Sequence, residues 1–181
     1  MPAKALSIRD ISFIAIFTAL IAICAQIVVP LPGGVPFTLQ TWAIALAGVL
    51  LGAKNGSIAT LAYVLLGAVG APVFHGFQGG FGIIMGPTGG FILSFPILAL
   101  LAGFGARLQR IHWLIAGLLL GNIVNLLSGM VYFGFIMSVS LNQALYVAVM
   151  PFLPSTAMQI AFVAVIGKSM KRALARAGLM A

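Results

Sequence analysis

The chain has 181 residues, 62% of them hydrophobic and 6% charged, with a mean hydropathy of +1.23; a soluble domain carries about a quarter charged residues. This composition excludes a soluble domain and leaves an integral membrane protein. The formal net charge is +8, and the positions of the cations decide whether they serve an anionic partner or set orientation in a bilayer.

Six apolar spans are predicted, at about 11–30, 37–53, 56–70, 88–106, 112–133 and 149–167, making an all-α membrane protein of one domain over residues 1–181. The first run follows the basic flank MPAKALSIRD, is long for a signal peptide and lacks a small-residue cleavage site, so it reads as a retained helix. On it Ala15, Ala19 and Ala22 form a smooth face at i, i+4 and i+7. Such a face permits close helix approach, either within the bundle or against another membrane protein. The third run, SIATLAYVLLGAVG, is short for a hydrocarbon core of ~30 Å.

The basic residues fall between spans. Lys4 and Arg9 precede the first, Lys54 lies between the second and third, Arg107 and Arg110 between the fourth and fifth, and Lys168, Lys171, Arg172 and Arg176 follow the sixth. With six spans and both termini cytoplasmic, all nine face the cytoplasm, whereas five or seven spans would scatter them. The basic tail has a second reading, contact with anionic membrane lipid or an acidic partner. Nucleic acid is not expected, because the cations form no patch on a soluble face. The outer connections, LPGGVP, APVFHGFQGGFGIIMGPT and about GFIMSVSLNQALYVAV, contain no Asp, Glu, Lys or Arg. The middle one is expected to fold back over the helices. Non-helical backbone at that depth needs protein or a water-filled cavity to satisfy it, so an outer cavity is predicted.

Catalysis needs titratable groups that meet. Asp10 is the only carboxylate and suits the first turn of a helix beside Arg9. His75 belongs to an outer loop, as a ligand-touching, lid or plain loop residue, and His112 to the cytoplasmic start of the fifth span, so they share no metal. Cys24, the single cysteine, forms no internal disulfide. Ser128 has no base at its depth. Gly167-Lys168-Ser169 resembles the end of a phosphate loop, but Phe162 occupies the place of the required earlier glycine. No enzyme activity and no cofactor are expected, and any energy from ATP must come through a partner.

What remains is uncharged polarity inside the spans. Thr38, Gln40 and Thr41 lie near the outer end of the second; Asn122, Asn125, Ser128 and Tyr132, spaced three, three and four, share one face of the fifth; Ser155, Thr156 and Gln159 lie in the outer half of the sixth. Lipid cannot satisfy such groups, so they face an interior. As a set they point to a small-molecule pocket. The competing class is a structural or assembly protein in which each merely joins helices, at about 0.6 kcal/mol per bond; a passive channel is a third.

Val35-Pro36-Phe37-Thr38-Leu39-Gln40-Thr41, then GAVGAPVF over 67–74, Gly79-Gly80, Gly86-Pro87-Thr88-Gly89-Gly90-Phe91 and Pro151-Phe152-Leu153-Pro154 together resemble the BioY family, the biotin-binding S components of energy-coupling factor transporters. The resemblance runs in order over about residues 12–168. It implies six helices, a vitamin pocket roofed by the outer loops, and a first helix whose Ala15, Ala19 and Ala22 face meets a transmembrane coupling subunit joined to two ATPases. It also implies that Phe37, Thr38, Gln40, Phe74, Gln78 and Gly79 line the pocket; the polar residues of the spans add Asn122, Asn125, Thr156 and Gln159 to the expected site. One departure stands out. The family pattern continues its Pro-Phe-x-Pro motif with Gly-Asp and, three residues after the Asp, a Lys; here Ser155, Thr156 and Gln159 hold those places. The site is thereby either a biotin pocket kept with neutral groups, whose hydrogen bonds are roughly half as strong as charge-assisted ones, or a pocket retuned to another neutral or weakly polar nutrient.

Overall fold

A computed structural model describes residues 6–31 and 35–176, the side chains of Lys168 and Ala175 excepted. Lys4, residues 32–34 of the first outer connection and the side chain of Lys168 therefore lie outside the described residues.

Helix α1, Ile8–Ala25, starts at a capping box in which the Ser7 hydroxyl accepts from the Asp10 N–H and the Asp10 carboxylate accepts from the Ser7 N–H. Asp10 also accepts from the Asn55 amide at 2.9 Å, so the one carboxylate is a structural tie. The apolar run 11–30 is not all helix. α1 stops at Ala25, and Val28–Val29 (β1) pairs antiparallel with Phe37–Thr38 (β2), Val28 opposite Thr38. β-branched residues ahead of Pro30 favour this extended form.

Helix α2, Gln40–Ala68, spans 29 residues but is not one rod. At Gly52 the backbone takes φ 81° and ψ 171°, which only glycine adopts at little cost. The two limbs fold against each other there: a Cβ on Gly56 would come within 2.7 Å of the Gly48 Cα, and the Gln40 amide donates to the Tyr63 hydroxyl at 2.6 Å. In a straight helix those two residues would stand about 34 Å apart. The expected runs 37–53 and 56–70 are thus the limbs of a hairpin, with the exposed Lys54 at its bend.

A connection with a 3₁₀ turn at His75–Phe77 and the short α3, Phe81–Ile84, leads to α4, Gly89–Arg107. Helix α5, Ile111–Met137, ends where Ser138 turns left-handed, and the last expected outer connection contains a helix absent from the sequence reading, α6, Leu141–Ala148. Ser140 and Gln143 cap it reciprocally. A 3₁₀ turn at Met150–Phe152 passes into α7, Leu153–Arg176, which carries the basic tail on helix well past residue 167.

The core is a slab of α2, α4 and α5 welded through glycine. A Cβ on Gly103 would lie 2.7 Å from the Gly52 carbonyl carbon, and one on Gly105 would lie 3.1 Å from the Gly117 Cα. Helix backbones approach this closely only where side chains are missing. Pro96, which has no N–H, interrupts the hydrogen bonding of α4, as membrane helices tolerate; separately, the Ser57 hydroxyl donates to the Pro96 carbonyl at 3.0 Å and ties the second limb of α2 to α4. Apolar side chains such as Ile16, Leu65, Leu120, Leu127, Val131 and Val165 are exposed around the outside.

Helix α1 leans on this slab through Ile14, Phe17, Thr18 and Ile21, while Ala15 and Ala19 face outward and Ala22 is half-buried. The buried Thr18 hydroxyl reaches both the Ile14 carbonyl (2.8 Å) and the Ala59 carbonyl (2.9 Å), tying α1 to the second limb of α2. Thr18→Val keeps the shape and removes the bond. Its expected cost is about 0.6 kcal/mol, read as a small shift in detergent-denaturation stability; no shift at all would take this bond out of the account of how α1 is held.

Candidate functional site

The welded slab leaves one end of the molecule open. There Val35, Pro36, Phe37 and Thr38 around β2, Gln40 and Thr41 of α2, Phe74 and His75 of the loop, Thr88, Phe91, Ile92 and Phe95 of α4, Asn122, Asn125 and Leu126 of α5, and Phe152, Ser155 and Thr156 at the start of α7 wall a single cavity. It holds about 70 Å³, several times the ~10–15 Å³ that one water requires.

The apolar wall is fixed by aromatic packing. Phe74 is 1% exposed and meets the Tyr63 ring edge-on, with centroids 5.6 Å apart. Its ring fills the space that a side chain on Gly67 would need. Phe91 packs into the notch left by Gly129 and faces Phe152 at 6.1 Å.

The polar wall is partly self-satisfied. The Asn125 amide nitrogen donates to the Phe91 carbonyl (2.9 Å) and to the Ser94 hydroxyl (2.8 Å), stitching α5 to α4, and that of Asn122 donates back to the Leu118 carbonyl at 2.8 Å. Gln40 is held between Thr38 and Tyr63, and the Tyr63 hydroxyl donates to the Val73 carbonyl at 3.1 Å. Ser155 donates to the Phe152 carbonyl. No described residue bonds the hydroxyls of Thr41, Thr88 or Thr156 or the amide oxygens of Asn122 and Asn125. No buried side-chain oxygen or nitrogen among the described residues lacks a partner, so these groups stay open to the cavity.

The loop is pinned from behind by α1. The Gln26 amide nitrogen donates to the Ala22 and Phe74 carbonyls, both at 3.0 Å, and its oxygen accepts from the Phe77 N–H at 2.9 Å. Phe77 has φ 55° and Gly76 φ 67°, a tight turn closed by the Phe74 N–H donating to the Gln78 carbonyl at 2.9 Å. This turn presents His75 to the cavity. Among the described residues His75 is the only ionisable side chain on the wall, and burial holds its imidazole below the ordinary pKa, so the ring is neutral at pH 7.

Of the residues singled out from sequence, Phe37, Thr38, Gln40, Phe74, Asn122, Asn125 and Thr156 meet on this wall. Three stand off it. Gln159 is buried behind, donating to the Thr41 carbonyl at 2.9 Å; Gln78 is exposed on the far side of the turn, and Gly79 packs against the backbone of Gly70 and Ala71. Helical spacing brought Thr156 and Gln159 near one another, but three residues leave them about 60° apart around the axis, enough to part the cavity side from the α2 side. Thr88, Ile92 and Phe95 complete the wall without having been expected; Phe91 and Phe95, one turn apart just after GPTGG, were the available signal. Ser128 and Tyr132 lie outside this cavity, Tyr132 donating to the Ile84 carbonyl at 3.0 Å and holding α3 down.

At the other end of the slab Lys54, Arg107 and Lys171 line an open cleft. The first limb of α2, α4 and α7 each start at the cavity and run toward this basic end.

Among the described residues, five helices long and apolar enough to cross a bilayer, with an uncharged vestibule at one end of the bundle and cations at the other, define a multi-pass membrane protein. The BioY family model matches residues 1–176, and the chain belongs to that family. It is 38% identical over 163 residues to the probable biotin transporter BioY of Pyrococcus horikoshii, covering 90% of this chain and 96% of that protein. Over 165 residues it is 35% identical to the biotin transporter BioY of Thermotoga maritima, covering 91% of this chain and 96% of the relative. Its fold matches the crystal structure of the S-component for biotin from an ECF-type ABC transporter with a TM-score of 0.85 at 26% identity, covering 93% of this chain and 95% of that one.

Proposed function

We propose that this chain is the membrane-embedded substrate-binding subunit of a biotin uptake system, taking the vitamin from the outer face into the vestibule. The observation that carries the reading is the cavity itself, apolar on its aromatic sides and bearing unoccupied hydroxyls and amide oxygens, in a chain whose relatives are named biotin transporters. Phe37 and Phe91 form apolar walls for the bicyclic ring, and Asn122, Asn125 and Thr156 orient its ureido group. Gln159, Gln78 and Gly79 support the wall from outside it.

The orientation is six crossings with both termini in the cytoplasm, the limbs of α2 counting separately. Its support is the segregation of the described cations to the end away from the vestibule, as the positive-inside rule requires. Ala15 and Ala19, exposed on α1, offer the contact for an energy-coupling subunit that carries ATPases, and membrane lipid covers the remaining apolar surface. The Asp and Lys of the family pattern are replaced by neutral groups in a neutral pocket, so affinity rests on hydrogen bonds worth about 1 kcal/mol each.

Radiolabelled biotin on the purified protein tests this, with lipoate, thiamine and riboflavin as competitors. Thr156→Val removes one hydroxyl at near-constant volume and is expected to weaken biotin binding about five- to tenfold. Absence of saturable binding by any of the four vitamins would overturn the assignment.

A further inference from the structure

The vestibule contains a charge asymmetry that the neutral reading leaves unused. Its wall is built from β2 and its lead-in, α2, α4, α5 and α7, and none of these contributes an acid or a base to it. The outer connections have no Asp, Glu, Lys or Arg anywhere. Tyr63 is buried against Phe74 with its hydroxyl engaged by Gln40 and Val73. Asp10 is at the opposite end, capping α1 and tied to Asn55.

His75 therefore has the cavity's electrostatics to itself. It is also held in place, because the backbone on both sides of it is fixed by the Gln26 amide and by the Phe74–Gln78 closure. Its ring nitrogens make no hydrogen bond with any described residue.

We infer that His75 is the specificity residue for the anionic end of the guest: its imidazolium pairs with a carboxylate, so that capture of a carboxylate-bearing ligand takes up one proton. This deepens the proposed function and rests on it, since biotin joins a neutral ureido ring to a carboxylate tail. The direction follows from linkage. In the empty site the ring is neutral at pH 7 because burial disfavours its cation; an anion at hydrogen-bond distance favours that cation. The bound-state pKa then lies above the free-state pKa, and affinity for an anionic guest rises as pH falls through the interval between them. The gain ends where the guest's own carboxylate protonates, at about pH 5 or below. A neutral guest in the same pocket gains nothing from acid.

The test is equilibrium binding of radiolabelled biotin and of uncharged biotinamide to the full-length protein in lipid nanodiscs, from about pH 8 down to about pH 5.5. Biotin is expected to bind about tenfold tighter at the acid end, the consequence of a one-unit displacement of the imidazole pKa, while biotinamide stays level. His75→Gln, which keeps a polar side chain of similar reach, should level the biotin profile, while the biotinamide profile, whatever its absolute affinity, stays level with pH. Biotin and biotinamide profiles that run parallel, or an acid gain that survives in His75→Gln, would overturn the inference and leave the biotin assignment standing. Failure of both ligands to bind at any pH would overturn the functional reading and this inference with it. Should the variant not fold, the comparison of the two ligands on the unmodified protein decides alone.

Discussion

Gly129→Leu is expected to abolish biotin binding while the protein still purifies as a folded, monodisperse species. A Cβ at Gly129 would already collide with the Phe91 ring. That ring cannot retreat with its backbone, because the Phe91 carbonyl is held by Asn125 at 2.9 Å and α4 is locked to α2 and α5 through glycine contacts. It can only swing toward Phe152, into a cavity of about 70 Å³. Overpacking of this kind costs about 1–3 kcal/mol, which a stable bundle survives; losing the binding volume is the larger effect, at least about a hundredfold in affinity when one aromatic ring occupies the guest's place. Gly129→Ala should fall between. Wild-type affinity in Gly129→Leu, measured beside an unchanged elution profile, would show that the guest sits elsewhere.

Gly52→Val is the companion case, acting on the fold. The residue has φ 81°, yet nothing lies within 4 Å of where its Cβ would be, so the penalty is purely one of backbone. A β-branched residue in that region costs about 1–3 kcal/mol. The chain's way to avoid it is to straighten α2 into one helix about 43 Å long, which would bring Lys54 into the hydrocarbon at about 2.5–3.5 kcal/mol and separate Gln40 from Tyr63. Either course destabilises, and a lowered thermal midpoint with reduced yield of folded protein is expected. Unchanged stability would mean that the bend is not made by this residue.

The contrast between the two glycines explains how far the sequence could be read. Apolar runs and the placement of Lys54, Arg107 and Arg110 located the helices, because burial in lipid acts on long stretches at once. Ends were lost where short-range chemistry takes over: β-branched residues before Pro30 pulled Val28 and Val29 into a strand, and Ser140 with Gln143 capped α6 inside a segment taken for a connection. Seven of the ten residues expected at the pocket share its wall since polar side chains within spans must face an interior. Gln159 shows the limit of that rule, for it is interior too but satisfies the Thr41 carbonyl instead of facing the void. Sequence alone leaves His75 a ligand-touching, lid or plain loop residue; that it is the sole titratable side chain among the described residues of the wall follows only from how the neighbouring segments pack beside it.

The Gln26 amide gives the roof of the vestibule a particular mechanical character. One side chain at the end of α1 holds the 74–78 turn at two points, its nitrogen on Phe74 and its oxygen on Phe77. Drawing the tip of α1 aside by an ångström or two would exceed hydrogen-bond reach for both together. The turn would then let go as a latch does, in one step, rather than loosen by degrees.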